Sequence, residues 1–169
     1  ATTEIYTLSL HDALPISRIK KRAERLDILN IKLIQNVKDE CYDRFILDAP
    51  CSGSGTWRRS PDAKYRLTPQ KLDAICQTQA ELLEFGAQHT SLNGQLIYMT
   101  CSVFAEENEM QIRHFLDNHP EFILINHKNL WSEVLDLPLY PFDSEQWLKF
   151  SPINTKTDGF FFCALKKVQ

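Results

Sequence analysis

Residues 44–55 read RFILDAPCSGSG, a largely apolar run at 44–47 followed by a polar loop that begins at Asp48. Because the run is apolar on both faces, it is typical of a strand buried in a parallel sheet. Residues 95–100, which read QLIYMT, form a second run of this kind. The two runs therefore predict two buried strands, each of which ends in a polar loop.

The loops after these strands, residues 48–59 and 100–104, each contain one cysteine, Cys51 in the first and Cys101 in the second. In open α/β sheets, functional residues lie in the loops at the carboxyl ends of the strands. If the two strands are neighbours, about 5 Å apart, both thiols reach the same crevice. The pair of loops is therefore the candidate functional site.

The rest of the chain alternates between helical and extended patterns. A helix is predicted from Thr68, a favourable N-cap before Pro69, to about residue 91. Further helices are predicted at residues 18–30 and 105–118, further strands at 31–34, 122–125 and 160–165, and a turn at Asn93-Gly94. This alternation predicts an open α/β sheet.

Composition excludes several classes of protein. The chain has 169 residues, the size of one domain, and 19 basic against 22 acidic residues, a net charge of −3. It has no apolar run long enough for a membrane helix. The five cysteines include no C-x-x-C pair, which argues against a disulfide scaffold or a metal site and favours a reducing, cytoplasmic setting. These cysteines are Cys41, Cys51, Cys76, Cys101 and Cys163.

The first seventeen residues, ATTEIYTLSLHDALPIS, are similar to the in-frame translation of a common DNA sequencing adapter. We therefore expect residues 1–17 to be a non-native segment and residues 18–169 to be a truncated domain. On this interpretation the natural gene extends upstream.

The loop around Cys51 does not fit the common phosphate-binding patterns. A cysteine phosphatase loop needs Cys and Arg six positions apart, whereas Cys51 and Arg58 are seven apart. The Gly-Lys-Ser/Thr ending of a P-loop is absent, and Gly53 and Gly55 alone are not a dinucleotide fingerprint. Taken alone, a single cysteine here favours a small buried apolar residue.

Two cysteines at neighbouring strand ends favour a different chemistry. A thiolate is a soft nucleophile suited to addition at carbon 6 of a pyrimidine, which makes carbon 5 nucleophilic enough to accept a methyl group. Asp48 precedes Cys51 by three residues, where it could hydrogen-bond the exocyclic amine and ring nitrogen of a cytosine. Its alternative role is that of an ordinary loop or cap residue.

A basic segment follows the first loop. Trp57 and Tyr65 are interleaved among its cations, the mixture expected where a phosphate backbone and unstacked bases meet a protein. A solvated, arginine-rich loop is the alternative. The cations are Arg58, Arg59, Lys64, Arg66 and Lys71, and Asp62 is the acidic residue among them.

Three motifs carry a family resemblance. DAPCSGSGTWRRSPD at residues 48–62 and YMTCSVFAEENE at 98–109 resemble the two signature motifs of RsmB/Sun-type RNA cytosine-5 methyltransferases. TDGFFF at 157–162 resembles the closing strand of that family. The similarity covers essentially all of residues 18–169.

The resemblance implies a Rossmann-like class I methyltransferase fold. This chain would be the C-terminal part of its seven-stranded, mostly parallel sheet, with the first strands missing and the last strand antiparallel. The cofactor would be S-adenosyl-L-methionine and the partner RNA, most often a cytosine in small-subunit ribosomal RNA. Cys101 would attack carbon 6, Cys51 would help to eliminate the adduct, and Asp48 would lie where base and cofactor meet.

The chain also departs from the family pattern. The glycine-rich cofactor loop and the acidic residue that binds ribose are absent from residues 18–169. We therefore expect that these 169 residues alone neither bind the cofactor tightly nor turn over. A methyltransferase-like RNA-binding module without turnover remains the alternative.

Several other polar side chains are expected to be structural or solvated. We expect Glu106, Glu107 and Glu109 to be solvated in the first turn of a helix, where they complement its dipole. Four histidines show no metal spacing and are expected at the surface, namely His89, His114, His119 and His127. Cys41, Cys76 and Cys163 are expected to be structural.

Overall fold

The computed structural model describes residues 16–28, 40–129, 131 and 140–169. The helices in these residues include α1 (Ile16–Arg25), α2 (Ala63–Arg66), α3 (Pro69–Gln88) and α4 (Glu109–Asn118), with short 3-10 turns at Ser54–Thr56 and Ala105–Glu107. Residues 127–129 and 131 are helical as well. The strands are β1 (Tyr42–Asp48), β2 (Thr90–Thr100), β3 (Phe122–Leu124), β4 (Leu148–Phe150) and β5 (Phe160–Lys167).

The strands form one sheet in the order β1-β2-β5-β3, and β4 also pairs with β5. Strand β1 is parallel to β2, whereas β5 is antiparallel to β2, β3 and β4. Strands β1, β2 and β3 thus run in one direction, and β5 runs against them. The predicted α/β, Rossmann-like fold with an antiparallel last strand is confirmed, and the count of seven strands stays a prediction.

The core lies between the sheet and helices α3 and α4. Phe45 and Leu47 of β1 and Leu96 of β2 are buried, while Ile46 on the opposite face of β1 is only half-buried. Gly86 lets α3 approach this surface closely, since a Cβ there would lie 2.6 Å from the Leu96 side chain. The sheet is therefore fully covered on the α3 face, and the two-sided burial expected for residues 44–47 is only partly met.

Helix boundaries differ modestly from the predicted ones. Helix α3 begins as expected, with the Thr68 side chain accepting from Lys71 N–H, and it ends at Gln88. Helix α1 begins at Ile16, within the segment expected to be non-native, and it ends at Arg25. The predicted strand at 31–34 lies outside the described residues.

The two largest differences involve local backbone irregularities. Asn93 has φ of 65° and lies inside β2, where the register with β1 shifts, so Asn93-Gly94 forms a bulge rather than a turn. The helix predicted from residue 105 is interrupted at Asn108, whose φ of −119° and ψ of −100° separate a 3-10 turn from α4. This interruption redirects the glutamates beside it.

Candidate active site

The loops that follow β1 and β2 meet because the two strands are adjacent and parallel. Asp48 pairs in register with Met99, and Ala49 N–H donates to the Met99 carbonyl at 2.9 Å. The half-buried side chains of Cys51 and Cys101 converge, with their Sγ atoms 3.2 Å apart. The structure thus brings together the two thiols that the sequence placed at separate strand ends.

The pKa values of the two thiols are shifted in opposite directions. The hydrogen bond from Cys51 lowers the pKa of Cys101 to about 7, although burial and the charges of Asp48 and Glu107 oppose this shift. The same hydrogen bond, together with deeper burial, raises the pKa of Cys51 well above its ordinary value. Cys101 is therefore the more acidic thiol of the pair, and Cys51 is the less acidic one.

Asp48 lies at the end of β1 with its side chain exposed. Partial burial of the carboxylate raises its pKa. Within the described part of the chain, it has no hydrogen-bond or ion-pair partner. A free carboxylate within electrostatic reach of Cys101 is available to a ligand that presents donor groups.

Glu107 is completely buried beneath the two cysteine loops, so its expected solvation is wrong. Its Oε1 accepts from Ser52 N–H at 2.7 Å and from Gln79 Nε2 at 3.1 Å. Its Oε2 accepts from the hydroxyls of Ser52 and Ser102, each at 2.5 Å. The 3-10 turn directs this side chain inward, whereas Glu106 is exposed as expected.

Glu109, the third of the predicted solvated glutamates, is largely buried. Its Oε1 accepts from Lys149 Nζ at 2.6 Å, and its side chain is 16% exposed. The contact joins the start of α4 to β4, which comes forty residues later in the chain. Such a long-range ion pair is not visible in local sequence periodicity.

Further hydroxyl and amide contacts fix the same loops. Ser54 Oγ lies 2.9 Å from Ser102 Oγ and accepts from Val103 N–H at 2.9 Å. Asn108 accepts from the Thr100 hydroxyl at 2.6 Å and donates to the Ser102 carbonyl at 3.0 Å. The backbone on both sides of Cys101 is therefore held by buried side chains.

The start of β5 closes the site from a third direction. Gly55 N–H donates to the Cys101 carbonyl at 3.0 Å, and Gly159 N–H donates to the Gly55 carbonyl at 2.9 Å. The TDGFFF motif therefore contributes to the site through Gly159, at the point where β5 begins.

The predicted RNA-binding cations are exposed beside the site. Arg58 and Arg59 both approach Asp158, at 3.4 Å and 2.8 Å. Asp158 is thus a second acidic residue at this segment, in addition to the Asp62 that the sequence indicated, and its position depends on the fold. Lys64 lies over the ring of Tyr65, which is 80% exposed.

The other aromatic and basic residues of this segment are already in contact with the protein. Arg66 pairs with Asp62 at 3.0 Å, and Lys71 Nζ donates to the Arg66 carbonyl at 2.8 Å. Trp57 packs edge-on against Phe104, with ring centroids 5.7 Å apart. Tyr65 is therefore the better exposed of the two predicted aromatic residues.

Three of the four histidines depart from the expected surface position, and His89, which is half-buried against Phe85, is the first of them. His127 is buried, its Nε2 accepts from Ala164 N–H at 3.3 Å, and burial lowers its pKa. His119 stacks on Phe115 and contacts Glu84 at 2.7 Å and Glu121 at 2.9 Å. Burial opposes its charge, but the two carboxylates raise the pKa of His119 overall.

All five cysteines are free. Cys163 is buried, and burial raises its pKa, whereas Cys41 is exposed. The described residues contain no cluster of side chains able to hold a metal ion. No helix among them is long and apolar enough to cross a membrane.

Comparison with known proteins identifies the family. A family model described as 16S rRNA methyltransferase RsmB/F matches residues 10–166. The probable ribosomal RNA small subunit methyltransferase B of Bacillus subtilis is 33% identical over 173 residues, which cover 96% of this chain and 37% of that protein. Ribosomal RNA small subunit methyltransferase B of Yersinia pseudotuberculosis is 35% identical over 113 residues, which cover 63% of this chain and 26% of that protein.

Solved structures agree with this match. The crystal structure of PH0851 superposes with a TM-score of 0.77 at 35% identity, over 92% of this chain and 35% of that one. NSun6 from Pyrococcus horikoshii shares the fold, with a TM-score of 0.74 at 22% identity over 94% of this chain and 40% of that one. This chain thus spans less than half the length of each of these proteins. It belongs to the RsmB/F family of 16S rRNA methyltransferases.

Proposed function

We propose that this chain is the catalytic part of an enzyme that methylates carbon 5 of a cytosine in small-subunit ribosomal RNA through a covalent adduct with Cys101. One observation carries the proposal: the two sulfurs lie 3.2 Å apart at the carboxyl ends of β1 and β2, and Cys101 has the lower pKa of the two. The names of the curated relatives support a small-subunit ribosomal RNA substrate. The free cysteines fit a cytoplasmic setting.

The first step is addition of the Cys101 thiolate to carbon 6 of the cytosine. The C5–C6 double bond opens, and carbon 5 gains the nucleophilic character that methyl transfer requires. Asp48 lies on the same edge of the sheet, and its raised pKa suits a carboxyl group that shares a proton with the ring nitrogen of the base. A cytosine polarised in this way accepts the thiolate more readily.

S-adenosyl-L-methionine is the cofactor that membership of this methyltransferase family indicates, and it supplies the methyl group. Asp48 is the described residue that fits such a group, because its exposed carboxylate has no partner among the described residues. We therefore assign Asp48 to the boundary between cofactor and target base.

Cys51 acts in the elimination step. Once Cys101 is bonded to carbon 6 it is no longer an anion, so the main cause of the raised pKa of Cys51 disappears. Cys51 then loses its proton to solvent and, as a thiolate, removes the proton from the methylated carbon 5. The electron pair of that C–H bond restores the C5–C6 double bond, and Cys101 leaves as a thiolate. Both thiols return to their starting states.

The exposed segment beside the site is proposed to bind the RNA. Arg58, Arg59, Lys64 and Arg66 contact the phosphates, and the exposed ring of Tyr65 offers a stacking surface for an unpaired base. A single-stranded or flipped cytosine is the form that a pocket around Cys101 can hold.

The proposal is tested in the whole enzyme of which these residues form the catalytic part. The protein is incubated with small-subunit ribosomal RNA and S-adenosylmethionine and then run on a denaturing gel. Cys51→Ser is expected to accumulate a covalent RNA adduct, whereas Cys101→Ser forms none and abolishes methylation. Identical behaviour of the two variants would refute the division of roles. RNA binding by the unmodified enzyme without any methylation would support the binding module instead.

A further inference from the structure

The most unusual side chain outside the cysteine pair is Glu107, a carboxylate that is 0% exposed. It accepts four hydrogen bonds, from Ser52 N–H, the Ser52 and Ser102 hydroxyls and the Gln79 side chain. All four donors are uncharged. A buried carboxylate without a cation among its partners is costly, and an apolar residue of similar size would avoid that cost.

Three of the four hydrogen bonds to Glu107 come from the residues that directly follow the two cysteines. The hydroxyls of Ser52 and Ser102 donate to the same oxygen, Oε2, at 2.5 Å each. The neighbours of Cys51 and Cys101 are therefore tied to a single atom. Because each serine is bonded directly to its cysteine along the chain, this shared acceptor restricts how far apart the sulfurs can move.

Helix α3 anchors the same arrangement from below. Gln79, also 0% exposed, donates to Oε1 of Glu107 at 3.1 Å and to the Pro50 carbonyl at 2.9 Å. Tyr98 of β2 donates to the main-chain carbonyl of Glu107 at 2.7 Å. These contacts fix the position of Glu107 relative to both the helix and the sheet. The two cysteine loops, which are hydrogen-bonded to Glu107, are therefore held in place relative to the same elements.

We propose that Glu107 is a positioning residue, which holds the sulfurs of Cys51 and Cys101 in contact by bridging Ser52 and Ser102. Its importance for catalysis rests on the proposed function, but the sulfur contact itself does not. The four donors need both oxygens of an ionised carboxylate, because each oxygen accepts two of them. Glu107 is therefore required as a carboxylate and not only as a side chain of suitable volume.

The substitution Glu107→Gln tests this role because it preserves volume and removes one acceptor oxygen. The readout is the pH dependence of iodoacetamide alkylation at Cys101, followed by mass spectrometry of the peptide in the purified 169-residue chain. The ionisable groups that act on Cys101 are Cys51, Asp48 and Glu107. This measurement needs no RNA and no methyl transfer, so its result is independent of the proposed reaction.

The two possible effects of Glu107 on Cys101 have opposite signs. If the bridge is lost, the sulfurs separate, the hydrogen bond from Cys51 is weakened, and the alkylation midpoint rises by about one to two pH units. If Glu107 acts only through its charge, removal of that charge makes the midpoint fall. The proposal expects the rise, and a fall or an unchanged midpoint would overturn it.

Two further variants complete the experiment. Glu106→Gln removes the exposed carboxylate next in sequence, and we expect the midpoint of Cys101 to stay unchanged. Ser52→Ala retains the charge of Glu107 and the main-chain N–H of residue 52 but removes one arm of the bridge, and it should raise the midpoint by a smaller amount. If circular dichroism shows that Glu107→Gln is unfolded, the Ser52→Ala variant tests the proposal alone. An unchanged alkylation midpoint in that variant would contradict the proposal that the bridge holds the two sulfurs together.

Discussion

Gly159 and Gly55 are in main-chain contact where the first cysteine loop meets the start of β5. Gly159 N–H donates to the Gly55 carbonyl at 2.9 Å, and a Cβ on Gly55 would lie 2.1 Å from the Gly159 carbonyl oxygen. The obstacle is backbone, which cannot rotate away as a side chain can. Both positions must therefore lack a side chain for the three segments of the site to close.

The first prediction concerns this contact. Gly55→Ala should lower the free energy of unfolding by about 3 kcal/mol, because the two backbones must separate. Gly53→Ala is the matched control: its Cβ would meet only Thr56 Oγ1, at 3.6 Å, and its φ of 67° should cost about 1–2 kcal/mol. Urea denaturation measures both values. An equal loss in the two variants would contradict the steric argument.

The second prediction concerns the ionisation of Cys101. Because its pKa is lowered to about 7, its alkylation should be half-maximal near that pH and should increase as pH rises through it. Cys51→Ala removes the hydrogen-bond donor, so the midpoint should rise by about one to two pH units. Cys163→Ala removes a buried thiol elsewhere and is the control, with no shift expected. An unchanged midpoint in Cys51→Ala would show that the sulfur contact does not set the pKa.

The sequence was sufficient to predict the strand ends and hence the cysteine pair. The loops that follow neighbouring parallel strands lie at the same edge of the sheet, at the carboxyl ends of the strands. The sequence was not sufficient for Glu107, because a regular helical period places that residue at the surface. The break at Asn108 that turns it inward is a local backbone feature without a strong sequence signal. The sequence does place Ser52 and Ser102 directly after the two cysteines, and a hydroxyl that the fold shields from water needs an acceptor.

Long-range ion pairs were also inaccessible to pattern reasoning. Asp158 follows Arg58 by one hundred positions, and only the docking of β5 beside β2 brings the two together. His127 is buried for a similar reason, since the main chain of Ala164 in β5 donates to its ring. Local composition describes such residues correctly as polar, but the fold decides whether they are solvated.

The third prediction concerns His119. Its raised pKa means that its interaction with Glu84 and Glu121 stabilises the fold fully below the unfolded pKa of about 6.5, and that this contribution is lost as pH rises through the folded pKa. The pKa of Glu121 is lowered by the same contact, so its contribution is lost at acidic pH. His119→Gln should therefore cost about 0.5–1 kcal/mol near pH 5.5 and less near pH 8.

Urea denaturation at the two pH values measures this difference. His114→Gln, at an exposed position on α4, is the control and should cost about the same at both pH values. A cost for His119→Gln that is equal at the two pH values would mean that ring packing on Phe115, and not charge, accounts for its contribution.

The last prediction concerns the basic segment. Asp158 neutralises part of the positive charge of Arg58 and Arg59, so Asp158→Asn should tighten RNA binding, whereas Arg59→Ala should weaken it. If Arg59 contacts one phosphate of a single strand, its removal should reduce the slope of log K against log salt by about 0.7. Lys128→Ala, which removes an exposed lysine paired with Glu145, is the control and should leave the slope unchanged.

Binding of a labelled single-stranded ribosomal RNA fragment, followed by fluorescence anisotropy across a salt series, gives these values. Equal slopes for Arg59→Ala and Lys128→Ala would place the RNA elsewhere on the surface.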